Sequence, residues 1–224
     1  PRETMHYDYI EVPADGEAIT ANPDHTLNVP DRPVIPYIEG DGIGIDVTPV
    51  MLDVVNAAVN KAYGDARKIE WMQVYAGQRA TEVYGGDVYM PEETLHAMEK
   101  FIVSIKGPLA TPIGGGIRSL NVSIRQTLDL YACVRPIRYF PGVITPMKDS
   151  NLVDMTVFRE NTEDVYSGIE YQSGTPENLK LAKFLREEMG VDFFEDAGLG
   201  IKPISPFASK RLVRKAIQYA IDNG

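Results

Sequence analysis

The chain has 224 residues, 44% hydrophobic and 24% charged, the make-up of a folded globular protein and not of a disordered one. Thirty-two Asp and Glu against 22 Lys and Arg leave a formal charge of −10, which argues against binding to nucleic acid or to an anionic membrane by neutralising phosphates. With Cys133 as the only cysteine, an intramolecular disulfide and a cysteine-built zinc site are both excluded. No run approaches the roughly 18 apolar residues of a membrane span, and Pro1-Arg2-Glu3 does not open a basic-then-apolar secretion signal. A reduced, cytoplasmic protein is predicted.

In chain order, residues 1–32 are polar and read as an irregular arm. Val34–Ile38 is a β-branched strand, broken by Glu39-Gly40-Asp41-Gly42-Ile43-Gly44. From Asp46 to Tyr63, Val47, Val50, Met51, Val54, Ala58 and Ala62 recur at three- and four-residue steps, one apolar helix face. Ile69–Tyr75 reads as a strand, the stretch after Pro91 as a helix to Lys100, and Phe101–Ile105 as a buried strand. This alternation predicts an α/β sheet covered by helices. Further on, Thr111–Gly116 is a loop, Ser119–Leu128 a helix, and Cys133–Tyr139 and Met155–Arg159 strands. Leu179–Met189 is a helix capped by Gly190, and a short strand follows near Ile201. The last helix, Ser209 to Ile221, is expected to bury Leu212, Val213, Ala216, Ile217 and Ala220.

Three regions carry possible chemistry. Gly40-Asp41-Gly42-Ile43-Gly44 approximates the dinucleotide fingerprint, but isoleucine at position 45 breaks it and leaves a tight strand-to-helix turn. Ile113 to Gln126 joins three glycines to a helix start with Ser119, Asn121 and Arg125. A hydroxyl, an amide and a guanidinium near a helix N-terminus suit a carboxylate or phosphate; a flexible loop with a capping serine is the plainer alternative. Arg135 and Arg159 lie in apolar strands, where they either converge on an anionic ligand or pair with internal carboxylates. Tyr166, after Glu160-Asn161-Thr162-Glu163-Asp164-Val165, is either a proton donor or a packing residue. His6, His25 and His96 show no metal-binding spacing.

Several of these segments resemble one family in its own order. They are Ile35–Gly44, Gly114–Val122 followed by Ile124-Arg125-Gln126, and Phe158–Tyr166. Together they resemble the bacterial NADP-dependent isocitrate dehydrogenases of the isocitrate/isopropylmalate dehydrogenase family, from about residue 25 onward. The resemblance implies an α/β fold that is not the Rossmann fold, with a large domain, a small domain and a clasp pairing two subunits into a homodimer. On that pattern, residues 1–130 begin the large domain, 131–163 begin the small domain, 164–208 form the clasp region and 209–224 continue the small domain.

The resemblance also implies residue roles. Ser119 and Asn121 contact the substrate carboxylate that isopropylmalate lacks; Arg125, Arg135 and Arg159 hold the remaining carboxylates; Tyr166 protonates the product enol. Leu109, Thr111 and Asn121 match positions near the nicotinamide, with Ala110 replacing a threonine. The implied reaction is oxidative decarboxylation of isocitrate to 2-oxoglutarate with NADP and Mg2+ or Mn2+. Family chains run about as far again, and the catalytic lysine and metal-binding aspartates are expected beyond Gly224, so no metal ligand is expected here. A regulatory kinase and phosphatase acting on Ser119 are implied as further partners. The alternatives are a sibling enzyme for isopropylmalate or tartrate, and a non-catalytic dimerising fragment.

Overall fold

A computed structural model describes residues 6–110 and 119–224. Thr111 and the glycine-rich segment through Arg118 lie outside the described residues. The chain divides into two compact units, Pro1–Ile124 and Arg125–Gly224.

The first unit opens with an arm that is more ordered than its composition suggests. Strands β1 (Thr20–Ala21) and β2 (Leu27–Asn28) pair antiparallel. The Asp24 carboxylate fastens the turn between them by accepting the Thr26 N–H and hydroxyl at 3.0 and 2.7 Å. Ile10 and Ile19 are buried, and Glu93 accepts the N–H groups of Asp8 and Tyr9 as well as the Tyr84 hydroxyl. The start of the arm, at Asp8 and Tyr9, is ordered by a distant partner that no local pattern could announce.

Strand β3 (Val34–Ile38) follows the expected bounds. Next come α1 (Gly44–Tyr63), β4 (Glu70–Val74), α2 (Gln78–Tyr84), α3 (Glu92–Phe101) and β5 (Ile105–Lys106). The sheet is parallel in the order β4-β3-β5, and Val34, Ile38, Met72 and Val74 are buried at its centre. Two differences from the sequence reading have clear causes. Phe101 is buried as the last residue of α3, not as the first of a strand; Ile102, at φ 66°, ends the helix, and β5 keeps two residues. On α1 the buried residues are Gly44 and Thr48, whereas Val47, Val50 and Val54 are exposed. That apolar face has no covering element among the described residues.

The division at Ile124 falls within α4 (Leu120–Thr127), whose Leu120 and Ile124 are buried one turn apart. In the second unit β6 (Ala132–Arg138) and β7 (Asp154–Glu160) pair antiparallel along their whole length. Strand β8 (Ile169–Tyr171) precedes α5 (Pro176–Glu187) and pairs antiparallel with β9 (Leu199–Ile201). Thr175 caps α5 by accepting the Asn178 N–H, and Gly190 takes φ 64° three residues past the last helical one. The closing helix α6 (Pro206–Asn223) is capped in the same way by Ser205. Its inner face is not the one expected: Ala208 is buried and Leu212, Ala216 and Tyr219 are half-buried, but Val213, Ile217 and Ala220 are exposed. The packing of Tyr219 edge-on against Phe158 of β7 sets that rotation, at a ring separation of 5.4 Å.

Candidate functional site

The expected site residues fall into two sets, one in each unit. In the first unit, Ser119 is half-buried directly before α4, and its carbonyl accepts the Ser123 N–H at 3.0 Å, the first turn of the helix. Asn121 stands in that first turn and donates from Nδ2 to the Leu109 carbonyl at 3.3 Å. Two expected cofactor-side positions, Leu109 and Asn121, are thereby in contact. Asn121 and Arg125 are one turn apart on α4 and share a side of it.

In the second unit the register of the β6–β7 hairpin decides which side chains stand together. Cys133 faces Arg159, Arg135 faces Val157 and Ile137 faces Met155, so these six share one face. The alternate pairs, Val134–Phe158 and Pro136–Thr156, share the face on which Phe158 meets α6. Arg135 and Arg159 therefore project on the same side, two residue pairs apart at most, and away from the α6 packing. Both lie in strands, as the sequence suggested, but at different exposures. Arg135 is exposed in the middle of β6, and its Nε donates to the Cys133 sulfur at 3.2 Å; Arg159 is half-buried near the end of β7.

Tyr166 lies on a single 3-10 turn, Asp164–Ser167, and its hydroxyl accepts from Nη2 of Arg159. The guanidinium also lies over the tyrosine ring, 4.6 Å from its centroid. A hydroxyl that accepts from a guanidinium keeps its own proton for another partner, which is the arrangement a proton donor requires. Gln126 of α4 donates to the Tyr166 carbonyl at 2.6 Å, tying the turn to the helix that carries Arg125.

The turn between Arg159 and Tyr166 is held by residues that the sequence did not single out. Buried Asn161 donates to the Leu130 carbonyl at 3.2 Å. Burial alone would raise the Glu160 carboxyl, but the Thr162 hydroxyl and N–H and the Glu163 N–H all donate to it and hold it below the usual carboxylate range. Arg211 of α6 reaches across: it donates to both Asp129 oxygens at 2.8 and 2.9 Å and to the Thr162 hydroxyl at 3.0 Å. Its guanidinium is stacked between Tyr131 and Phe207, with centroids 4.6 and 5.1 Å away. Such an arginine leaves no local signature, because its partners are 82 and 49 residues distant in sequence.

Among the described residues, no group of three or more His, Cys, Asp and Glu side chains is placed to hold a metal ion. No helix there is long and apolar enough to cross a membrane.

Comparisons with known proteins agree with this architecture. Residues 34–224 match the profile of the family described as isocitrate/isopropylmalate dehydrogenase. The chain is 60% identical over 222 residues to the NADP isocitrate dehydrogenase of Pseudomonas aeruginosa, covering 98% of this chain and 53% of that protein. It is also 60% identical over 220 residues to the enzyme so named from Coxiella burnetii, covering 97% of this chain and 51% of the relative. The chain thus spans about half the length of the curated relatives it matches. Among solved structures, an isocitrate dehydrogenase from Methylococcus capsulatus superposes with a TM-score of 0.63 at 35% identity, over 85% of this chain and 48% of that one. An α/β chain with these motifs, this profile match and these relatives belongs to the isocitrate/isopropylmalate dehydrogenase family.

Proposed function

We propose that the protein carrying this chain oxidises isocitrate and decarboxylates it to 2-oxoglutarate. The observation that carries this reading is the contact between the Arg159 guanidinium and the Tyr166 hydroxyl, with Arg135 on the same hairpin face. It joins a carboxylate-binding cation to a proton donor in one cluster. Relatives named as NADP isocitrate dehydrogenases at 60% identity support the choice of substrate and cofactor.

In this reading Arg135 and Arg159 bind two substrate carboxylates with charge-assisted hydrogen bonds, and Arg125 adds a third cation from α4. Ser119 and Asn121, at the start of α4, receive the remaining carboxylate, which the N–H groups of the helix N-terminus also attract. Tyr166 delivers its proton to the enol carbon formed after loss of carbon dioxide. Leu109 and Asn121 would line the nicotinamide side of the site, a role that falls also to Thr111, which lies outside the described residues. NADP, when bound, accepts the substrate hydride. The Leu109–Ala110 backbone is fixed by side chains on both sides, which suits a flat ring approaching it. The family implies a divalent metal, Mg2+ or Mn2+; this chain's described residues supply no cluster for it, and no role here depends on one.

The region 164–208, with β8, α5 and β9, is the clasp of a homodimer; exposed Phe184 and Phe194 on and after α5 support it. Ser119 is the target of a regulatory kinase, because a phosphate there occupies the carboxylate position.

The test is a substrate panel on the purified protein: isocitrate, isopropylmalate and tartrate, each with NADP and a divalent cation, followed by NADPH absorbance. Turnover of isocitrate well above the other two is expected. Preferential turnover of isopropylmalate or tartrate would overturn the assignment of Ser119 and Asn121.

A further inference from the structure

The Glu39–Gly44 turn has no part in the reaction just proposed, yet Asp41 within it is where three segments of the first unit meet. Oδ1 of Asp41 accepts the N–H of Gln78, the first residue of α2, at 2.9 Å. Oδ2 accepts the Ala110 N–H at 2.8 Å, and the Asp41 N–H donates to the Pro108 carbonyl at 2.6 Å. The approach is close enough to demand glycine on two sides. Gly40 is at φ 95°, and a β-carbon there would stand 2.5 Å from the Pro108 oxygen. One at Gly77 would strike the Asp41 carboxylate itself. The turn is braced from behind by buried Thr48, whose hydroxyl donates to the Glu39 carbonyl at 2.7 Å. From the opposite side, Asn121 donates to the Leu109 carbonyl at 3.3 Å.

We infer that Asp41 is a positioning residue for the cofactor side of the site: its carboxylate sets the backbone of Leu109 and Ala110, the segment against which the nicotinamide lies. The inference rests on the proposed role of Leu109. Ala110 has no side-chain hydrogen bond to offer, so its N–H is where the segment is held. Both partners of the carboxylate are N–H donors, and an acceptor-only group satisfies both at once. An asparagine must turn its own donor toward one of them and loses that bond. The Asn121 contact then carries the position of Leu109 into the first turn of α4.

The experiment uses the protein that carries this chain, with Asp41→Asn, Asp41→Ala and, as a control, Thr48→Val, which loosens the same turn without touching residues 108–110. NADP and isocitrate affinities are measured by calorimetry, with KM and kcat for both and amide hydrogen exchange at Ala110. For Asp41→Asn, NADP binding weakens about tenfold and isocitrate affinity stays within about twofold, the change expected for one charge-assisted hydrogen bond. Ala110 exchange accelerates in both Asp41 variants, whereas Thr48→Val lowers the melting temperature and leaves NADP affinity and Ala110 exchange unchanged. Unchanged NADP affinity in Asp41→Asn, equal losses for NADP and isocitrate, or the same NADP loss in Thr48→Val would each overturn the inference. Asp41→Asn alone decides it if Asp41→Ala does not fold. A wild-type protein that fails to reduce NADP with isocitrate overturns the proposed function instead, and Ala110 exchange still reports on the clamp by itself.

Discussion

Arg159 and Tyr166 are seven residues apart, and the turn between them folds back so that guanidinium and hydroxyl touch. Replacing Tyr166 by Phe keeps the ring under the guanidinium and removes only the hydroxyl. Isocitrate affinity, read by calorimetry, should fall by no more than about tenfold, since one hydrogen bond to a charged group is lost with no cavity formed. Turnover should fall by about 10²-fold or more, the usual contribution of a positioned general acid. Ser119 offers a second test at this scale, because its two readings predict opposite orders of harm. As the seat of a substrate carboxylate, Ser119→Asp should abolish isocitrate binding through like-charge repulsion, while Ser119→Ala retains partial activity. As a mere helix cap, alanine should cost about 0.5–2 kcal/mol of stability and aspartate should be harmless. Isocitrate affinity and thermal stability of both variants separate these outcomes.

Helix α6 contributes one cation to the neighbourhood of the site, and that cation holds two connecting segments. Arg211 links Asp129, before β6, to Thr162, after β7, while packed between two aromatic rings. Glu160 Oε2 and Arg211 Nε are buried side-chain atoms without a hydrogen-bond partner among the described residues, and their opposite charges attract. Arg211→Met keeps much of the stacked volume and removes the charge. A loss of about 1–3 kcal/mol is expected, from charge-assisted bonds and the cation–π contacts together, read as a shift in urea midpoint. The pH dependence at the end of β7, beside Arg211, has a definite sign. The folded Glu160 carboxyl sits below its ordinary value, so its stabilising contribution is present above the usual carboxylate range. It is lost as pH falls through the lowered folded value, because the hydrogen bonds from Thr162 and Glu163 favour the ionised form. Glu160→Gln should flatten that acid limb of a stability–pH curve.

Exposed apolar side chains are spread along the described residues, and several of them group on single elements. Val47, Val50 and Val54 line α1; Val213, Ile217 and Ile221 line α6; Phe184 and Phe194, at 51% and 87% exposure, mark the proposed clasp. For the clasp the prediction is a change of assembly: Phe184→Asp with Phe194→Ser should convert dimer to monomer in the protein that carries this chain. A fully buried phenylalanine is worth about 1.5–3 kcal/mol, and two-fold symmetry counts each one twice. Sedimentation at micromolar concentration measures the outcome; an unaltered dimer would remove the interface from this region.

The order of strand, turn and helix around residues 34–63 was legible in the sequence, because β-branched runs, glycine breaks and 3.6-residue periodicity are local signals. The motif resemblance identified the family for the same reason: those residues are contiguous. Which face of α1 or α6 packs inward was not legible, since both helices carry more apolar residues than one face needs, and only contacts such as Phe158 with Tyr219 choose the rotation. Likewise the end of α3 at Phe101 was hidden, because a buried apolar residue looks the same in a helix or a strand. The candidate site shows the same division. Arg135, Arg159 and Tyr166 could be named from their motifs, but the shared hairpin face comes from antiparallel register, and the guanidinium–hydroxyl contact from the intervening turn. Arg211 and the clamp by Asp41 on Ala110 join residues 49 or more positions apart. Contacts over such separations are set by how the segments pack, and no single stretch of sequence encodes them.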